Sequence, residues 1–273
     1  MSEFFPDLTS PNGRAGRSHR SVVSLTLIVC TWVYGTCAFA QSSPDGSIGL
    51  DITALPRYQG ATAYRVLPLP VIALSSQTAS GMRFFAEGLD GGVAWPIGTH
   101  LSAGPLIGVG LGRDQDYATI LNGTGNIDDS LVYGAFVRWE MGRMAVNLKF
   151  LQSAHAGYGN HATLGVSYVA LEMPQDKVTV SADTVWSNGP AEQTYFGIDS
   201  EQSIDSAAHL PVYSPSAGFS RVDLKVALDH RLDARWSLRA AAGVGTLVGD
   251  AAASPIVERR ASVFGSLGLA YRF

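Results

Sequence analysis

Beyond residue 40 the sequence contains no cysteine. The two cysteines of the chain, Cys30 and Cys37, both fall within the first forty residues. A chain without thiols can form neither a disulfide framework nor a thiolate metal site. If the first forty residues are removed, the small disulfide-rich secreted proteins and the cysteine-ligated metal proteins are therefore excluded.

The same part of the sequence lacks a long apolar run and an excess of positive charge. No stretch approaches the ~20 apolar residues that a membrane-spanning helix requires. Three of the 19 basic and two of the 23 acidic residues lie within residues 1–40, which leaves 16 basic and 21 acidic residues and a net charge of −5. An acidic chain is poorly suited to binding the negatively charged phosphate backbone of DNA or RNA, so we expect no nucleic-acid partner.

The first forty residues predict a secretory signal peptide with an extended N-terminal region. Arg14, Arg17 and Arg20 precede an apolar run over residues 22–34, and a small-residue cleavage site, Ala-Phe-Ala, ends at residue 40. The alternative is a single membrane-spanning anchor, which no basic stop-transfer cluster supports. We expect cleavage after residue 40 and a mature chain of one domain.

The last thirteen residues, 261–273, alternate strictly between two faces and end on an aromatic side chain. One face is apolar and comprises Val263, Gly265, Leu267, Leu269, Tyr271 and Phe273. The opposite face is polar or small, with Phe264 as the apolar exception. An alternation of period two predicts a β-strand. An apolar face that ends in aromatics is typical of the last strand of an outer-membrane β-barrel.

Alternating segments of this kind recur along the chain and predict an all-β, antiparallel transmembrane β-barrel of about ten strands over residues 66–273. The alternation slips near Gly88, which we interpret as a bulge. Residues 41–65 are expected to lie inside or beside the barrel, and twelve strands are the alternative. The ten predicted strands are 66–74, 82–95, 100–111, 131–139, 144–150, 162–170, 178–186, 222–228, 236–244 and 261–273.

The lengths of the loops predict the direction of insertion. Bacterial barrels keep short turns in the periplasm and long loops outside, which places residues 114–130, 187–218 and 249–260 outside. The location is then the cell outer membrane, with its lipid and lipopolysaccharide as surroundings. Aromatic residues near the strand ends are predicted to form the membrane belt and to serve assembly, with the final residue also read by the barrel-assembly machinery: Trp95, Trp139, Trp186, Trp236, Tyr271 and Phe273.

The face opposite the apolar one carries charges of both signs, which are expected to point into the barrel. Such charges must pair or be hydrated, and a narrow barrel has little room beyond its own side chains. We therefore predict a filled or very narrow lumen rather than a conducting pore. The principal interior charges are Arg138, Asp183, Arg221, Asp223, Lys225 and Arg239.

Polar residues in the predicted outer loops do not predict an active site. Ser153, His155, Asn160 and His161 lie in one short loop, whereas a catalytic triad needs its members on separate rigid elements. No helix or hairpin spacing brings His155, His161 and His209 together as metal ligands, and the acidic residues of 114–130 lack the calcium-loop pattern. We expect no enzyme activity, no cofactor and no metal.

Three outer-loop segments resemble the MipA/OmpV family of outer-membrane proteins. They are 193–198 (QTYFGI), 210–218 (LPVYSPSAG) and 249–257 (GDAAASPIV), and the residues that carry the resemblance include Tyr195, Phe196, Gly197, Gly249, Asp250, Ser254 and Pro255. An acidic residue often precedes the serine in the family, and this chain has Ala253 there. The resemblance implies an outer-membrane barrel. It further implies a scaffold that links a murein-cleaving lytic transglycosylase to a murein synthase, with a narrow porin-like channel or a surface adhesin as alternatives.

Overall fold

The computed structural model describes residues 46–75 and 81–273, so the predicted signal peptide lies outside the described residues. The strands are β1 Gly46–Pro56, β2 Tyr64–Ser75, β3 Arg83–Glu87, β4 Asp90–Ile97, β5 Leu101–Gly110, β6 Ser130–Met141, β7 Met144–Ser153, β8 Asn160–Glu172, β9 Asp176–Ser187, β10 Gly218–Arg231, β11 Trp236–Leu247 and β12 Ala261–Arg272. The helices are α1 Gly189–Phe196, α2 Ser200–Asp205 and α3 Gly249–Ala253. In the part of the chain that is described, no helix has the length and apolar character needed to cross a membrane.

The strands form one closed antiparallel barrel in which each strand pairs with its sequence neighbours. The first strand closes the ring on the last one, with the register running from Ser47 opposite Arg272 to Ala54 opposite Gly265. Closure matters because lipid offers no hydrogen-bond partner to a free strand edge. The barrel therefore satisfies the backbone of its first and last strands through each other.

The alternation of the sequence becomes two faces of the barrel wall. On β12, Val263 is 63% exposed and Leu267 is also exposed, so the apolar face points outward as predicted. Phe264 points inward, where its ring meets the Arg221 guanidinium at 5.9 Å and lies against Gly243. Large apolar side chains are exposed on the outer face of the strands, as expected of a wall in contact with lipid.

The barrel has twelve strands, so the ten-strand prediction is wrong and the twelve-strand alternative is confirmed. One added strand is β1, part of the segment 41–65 that we expected inside or beside the barrel; it lies in the wall because β12 needs a partner. The other comes from residues 82–95. Gly88 adopts a positive φ of 67° and turns the chain between β3 and β4, where we expected a bulge in a single strand.

The two ends of the barrel differ. Short turns join the strands at the end that carries the C-terminus, and we call this the periplasmic end. The long connections 111–129, 188–217 and 248–260 lie at the opposite, outer end with the turn 57–63. These outer connections pack around their own buried cluster, formed by Tyr58, Ala61, Leu121, Ile198, Leu210 and Ile256. We call this folded layer the loop roof.

Candidate functional site

The turn between β1 and β2 anchors one side of the loop roof. The Tyr58 hydroxyl donates to the Ile256 carbonyl at 3.1 Å and lies 3.1 Å from the Glu258 carboxylate. The same carboxylate accepts from the Thr62 backbone N–H, while the Gly60 carbonyl accepts from the backbone of Glu258. Burial and the neighbouring carboxylate raise the pKa of Tyr58 far above its ordinary value, so its hydroxyl stays protonated as a donor.

The segments that carry the family resemblance contact one another in the roof. The Ser254 hydroxyl donates to the carbonyl of Phe196 at 2.5 Å. Phe196 packs with Ala251 and Leu247 in a second buried cluster. These side chains therefore hold two outer loops together, and nothing in their geometry resembles a catalytic group.

The remaining residues of these segments set turns and short hydrogen bonds. Gly249 starts α3 with a positive φ of 57°, which a residue without a Cβ adopts most easily. The Asp250 carboxylate accepts from the Ser216 N–H at 2.8 Å, and Pro255 follows Ser254 as the chain leaves α3. A Cβ at Gly197 would overlap the Gln193 side chain. These residues act on the conformation of the roof.

Arg113 follows β5, where the barrel wall meets the loop roof, and its side chain is the most buried cation of the site, at 3% exposure. Its Nη1 donates to the Tyr195 carbonyl at 3.0 Å, while its Nε has no hydrogen-bond partner among the residues that the structure describes. Burial is the main cause that lowers the pKa of Arg113, to about 10. The guanidinium therefore remains protonated at neutral pH.

Inside the barrel, ion pairs join strands that are not neighbours in the ring. Lys149 of β7 reaches Asp90 of β4. Arg239 of β11 lies 3.5 Å from Asp51 of β1 and 3.2 Å from Glu87 of β3. Charges that leave water must pair, and here the pairs link strands two to four positions apart in the ring. Of the predicted interior charges, Arg239 enters such a pair.

The other predicted interior charges lie in two groups. Arg221 and Asp223, two residues apart on β10, form a 2.8 Å ion pair beside Asp183 and Lys225, in the outer half of the lumen. Arg138 pairs with Glu140 at 2.9 Å near the periplasmic end. The structure therefore does not bring the six predicted charges into one site.

The lumen is divided into two cavities. The outer chamber, of about 660 Å³, lies under the loop roof, and the periplasmic vestibule has about 620 Å³. Asp90, Lys149 and Lys225 line both and mark the boundary between them. Open space therefore remains on either side of this boundary, and the filled or very narrow lumen stays a prediction.

The predicted belt residues lie on the outer surface. The tryptophans Trp95, Trp139, Trp186 and Trp236 are each exposed by more than a third. The Trp236 ring packs edge-on against Tyr271 at 5.0 Å. Phe273 is half exposed, donates its N–H to the Gly46 carbonyl at 3.1 Å and lies against Gly46. The last residue thus covers the seam where β12 meets β1.

Deleting Phe273 is expected to lower the amount of folded barrel several-fold, because the seam loses a backbone hydrogen bond and an aromatic contact that lipid cannot replace. The matched control is Phe273→Trp, which keeps an aromatic at the terminus and should retain most of the folded protein. Heat-modifiable migration of the membrane fraction in denaturing gels measures the folded amount. Equal folded amounts in the deletion and the wild type would contradict this role.

The polar residues near 153–161 do not assemble into a triad. The Ser153 hydroxyl contacts Ser130, and the His155 ring stacks on Tyr158 with its Nδ1 beside the Ala156 carbonyl. His161 faces the outer chamber from β8 instead of lying in a loop. Within the described ranges, no group of three or more His, Cys, Asp or Glu side chains is placed to hold a metal ion.

Sequence reasoning missed Arg65, Arg113 and Glu192. Arg65 of β2 faces the outer chamber, and its Nε has no hydrogen-bond partner among the described residues. Glu192 of α1 is 2% exposed. A signal existed for two of them: Arg113 is the only arginine or lysine between Arg83 and Arg138, and Glu192 is the only charged residue in 184–198.

A closed antiparallel barrel with an apolar exterior, aromatic side chains near its rims and charges on the inward face of its wall is an outer-membrane β-barrel protein. The cell outer membrane is therefore its location. The chain belongs to the MltA-interacting protein MipA family, whose sequence model matches residues 48–273. This confirms the resemblance that the outer-loop segments indicated.

Solved structures similar to this chain include the following three. An outer-membrane channel from Pseudomonas putida F1 is 9% identical with a TM-score of 0.42, covering 86% of this chain and 97% of its own. A bacterial polysaccharide outer-membrane secretin is 10% identical with a TM-score of 0.39, covering 84% and 98%. The β domain of the Bordetella autotransporter BrkA is 14% identical with a TM-score of 0.36, covering 85% and 99%. The comparison with curated proteins gives no match.

Proposed function

We propose that this protein is a non-enzymatic scaffold that holds murein-remodelling enzymes at the periplasmic face of the outer membrane. The observation that carries the proposal is the difference between the two ends: the loop roof covers the outer end, while the vestibule faces the periplasm. The family description, an MltA-interacting protein, supports a partner on this side. The partners we propose are a lytic transglycosylase and a murein synthase.

The loop roof argues against free passage of solutes. Its buried cluster joins the turn 57–63 to the long connections, and cross-loop hydrogen bonds such as that from Gln202 to the Thr124 carbonyl at 2.7 Å hold the layer together. Below it, the ion pair between Lys149 of β7 and Asp90 of β4 occupies part of the lumen, at the boundary between the two cavities. A barrel with two such obstacles is better suited to present a surface than to conduct.

The vestibule offers a partner a concave, charged surface. Its floor is the boundary at Asp90 and Lys149, and its wall near the periplasmic end carries the half-exposed pair Arg138 and Glu140. Further lining residues include Arg83, Phe85, Ser102 and Asn147. Stable interfaces bury roughly 1,200–2,000 Å² in total, which the short turns alone offer poorly. A partner segment that enters the vestibule would add contact area and meet charges of both signs.

Reversing two vestibule charges, Arg83→Glu together with Arg138→Glu, is expected to reduce capture of the two murein enzymes at least fivefold. Like charges brought together across an interface repel each other. Where the contact is shielded from salt, this repulsion lowers the affinity several-fold. The measurement is a pull-down from detergent-solubilised membranes, quantified for both enzymes. The matched control is Arg259→Glu, an exposed charge in the loop roof, which should leave capture unchanged.

A narrow channel is the second candidate, because only side chains separate the two cavities. Single-channel recording of the same preparation distinguishes the candidates. Captured enzymes without steady conductance support the scaffold. Steady conductance without any captured murein enzyme would overturn it in favour of the channel.

A further inference from the structure

The barrel wall is interrupted in its outer half, beside β2. Strand β3 pairs with β2 only from Val71 to Ser75, so residues 64–70 have no strand partner on that side among the described residues. The hairpin of β3 and β4 ends at Gly88, whose N–H bonds to the Pro70 carbonyl. On the other side of this hairpin, β5 extends beyond its last residue paired with β4 toward the loop roof. Among the described residues, no strand lies between β2 and β5 over this height. Three strand spacings of ~4.8 Å put these two strands roughly 14 Å apart there.

The free edge of β2 is adapted to remain unpaired. The Pro70 carbonyl lies on the side of β2 that faces the hairpin. Alternate residues of a strand direct their backbone groups to the same side, so every second residue before Pro70 directs its N–H and C=O toward the gap. Pro68 and Pro70 carry no N–H, so two of the donors that this edge would expose are absent. An exposed backbone donor in lipid costs several kcal/mol. We infer that the interruption is a permanent feature of the wall, which we call the side gap.

The outer chamber opens at the side gap. Its lining includes Arg65 of β2, Leu89 of the hairpin turn and Val109 of β5. Val109 points outward and is 43% exposed. An outward-facing residue can line an interior cavity only where the wall is interrupted. The gap lies in the outer half of the barrel, and Val66 and Val109 on its two sides are exposed and apolar.

The outer chamber is cationic. Six basic side chains line it against three acidic ones. Neither Arg113 nor Arg65 forms an ion pair within the described ranges, and the Nε of each lacks a hydrogen-bond partner there. Arg65 lies next to the side gap, with its guanidinium 5.9 Å from the Tyr117 ring. A buried guanidinium without a counter-charge is costly, and its two-pronged donors match carboxylate and phosphate oxygens.

We propose that the outer chamber binds an anionic amphiphile, with one carboxylate or phosphate headgroup and a hydrocarbon tail, that enters sideways from the outer leaflet through the side gap. The headgroup binds Arg113 and Arg65. The tail lies along the apolar residues of the gap, Leu89, Val109 and Leu111. A volume of about 660 Å³ is within the ~300–1,000 Å³ of small-molecule sites. This ligand site is independent of the proposed periplasmic scaffold.

Binding can be measured by titration calorimetry on the full barrel in phosphatidylcholine nanodiscs, with empty nanodiscs as the blank. The probes are dodecanoate for the carboxylate, a monoacyl glycerol phosphate for the phosphate, dodecyltrimethylammonium for the opposite charge and inorganic phosphate without a tail. We expect one or both anionic amphiphiles to bind and the other two probes to bind at least tenfold more weakly. Equal binding of the cationic amphiphile, or of inorganic phosphate, would overturn the proposal.

The headgroup contacts are tested by Arg113→Gln and Arg65→Gln, each expected to weaken binding about tenfold or more. The matched control is Arg260→Gln, which removes the same charge from an exposed position of the chamber lining and should change affinity less than twofold. Heat-modifiable migration verifies folding, and if Arg113→Gln fails to fold, Arg65→Gln carries the test. Unchanged affinity in the folded variants would contradict the proposed site.

The side entry is tested by Val109→Trp, which narrows the gap and is expected to slow association severalfold in stopped-flow measurements with a fluorescent dodecanoate analogue. Val137→Trp is the matched control, because Val137 is equally exposed, at 42%, on a strand that is paired on both sides. Equal association rates for the two variants would show that the ligand enters by another route and would overturn the side entry.

Discussion

Replacing Gly134 by alanine is expected to reduce the yield of folded barrel by roughly tenfold. Gly134 lies on β6 beside β7, and a Cβ there would overlap the Phe150 carbonyl oxygen. Backbone atoms cannot move aside as a flexible side chain can. Relief requires separating β6 from β7, and overpacking of this kind costs about 1–3 kcal/mol or more, where 1.4 kcal/mol is a factor of ten.

Gly218→Ala is the matched control for this substitution. Gly218 also lies in a strand, but a Cβ there meets no atom within 4 Å. We expect the stability of this variant to stay within about 0.5 kcal/mol of the wild type. Urea titration of the refolded barrel in detergent, followed by heat-modifiable migration, measures both variants. A comparable loss of stability in the two variants would show that the close approach at Gly134 does not limit the stability of the barrel wall.

The spanning strands could be predicted from the sequence because their signal is local. A wall between lipid and a polar interior imposes a period of two, and β12 shows it from Val263 to Tyr271 with Phe264 as the one apolar exception. The β3–β4 hairpin could not be read in the same way. With five and eight residues its strands are too short to establish a period, and Gly88 is compatible with a bulge as well as with a turn.

The interior contacts lie beyond what the sequence indicates. That Arg138 and Arg221 point inward follows from strand parity, but which charges meet across the lumen depends on the register of the closed ring. Arg239 meets Glu87 across 152 positions of the chain, and Ser254 meets Phe196 across 58. No local pattern specifies such distances. Arg113 and Glu192 were missed for this reason, since their burial depends on loops that meet only in the folded roof.

Glu192 links the stability of the loop roof to pH. It lies on α1 at 2% exposure, and its carboxylate oxygens have no hydrogen-bond partner of good geometry among the described residues. Burial is the largest cause that raises its pKa, to about 7; the nearby Ser187 and Ser220 hydroxyls lower it, and Asp250 raises it further. The folded state therefore holds the proton more tightly than the unfolded chain, whose glutamate has an ordinary pKa of about 4.3.

The raised pKa of Glu192 fixes the direction in which the stability of the roof changes with pH. A carboxyl whose pKa is raised on folding contributes stability that is fully present below the unfolded pKa and is lost as the pH rises through the folded value. The free energy of unfolding of the roof should thus fall by roughly 2–3 kcal/mol between pH 5 and pH 8, since each pKa unit corresponds to about 1.4 kcal/mol. Hydrogen exchange of the α1 amides across this range measures the effect.

Glu192→Gln keeps the shape of the side chain and removes the titrating proton, so its α1 protection is expected to be nearly independent of pH and to exceed that of the wild type at pH 8. Glu201→Gln, which changes an exposed carboxylate on α2, is the matched control and should retain the wild-type slope. Because the three proteins share every titrating group except Glu192 and the exposed Glu201, the difference between the two variants isolates the buried carboxyl. A wild-type roof with equal protection at pH 5 and pH 8, or a Glu192→Gln variant with an unchanged slope, would show that this carboxyl is already ionised in the folded roof.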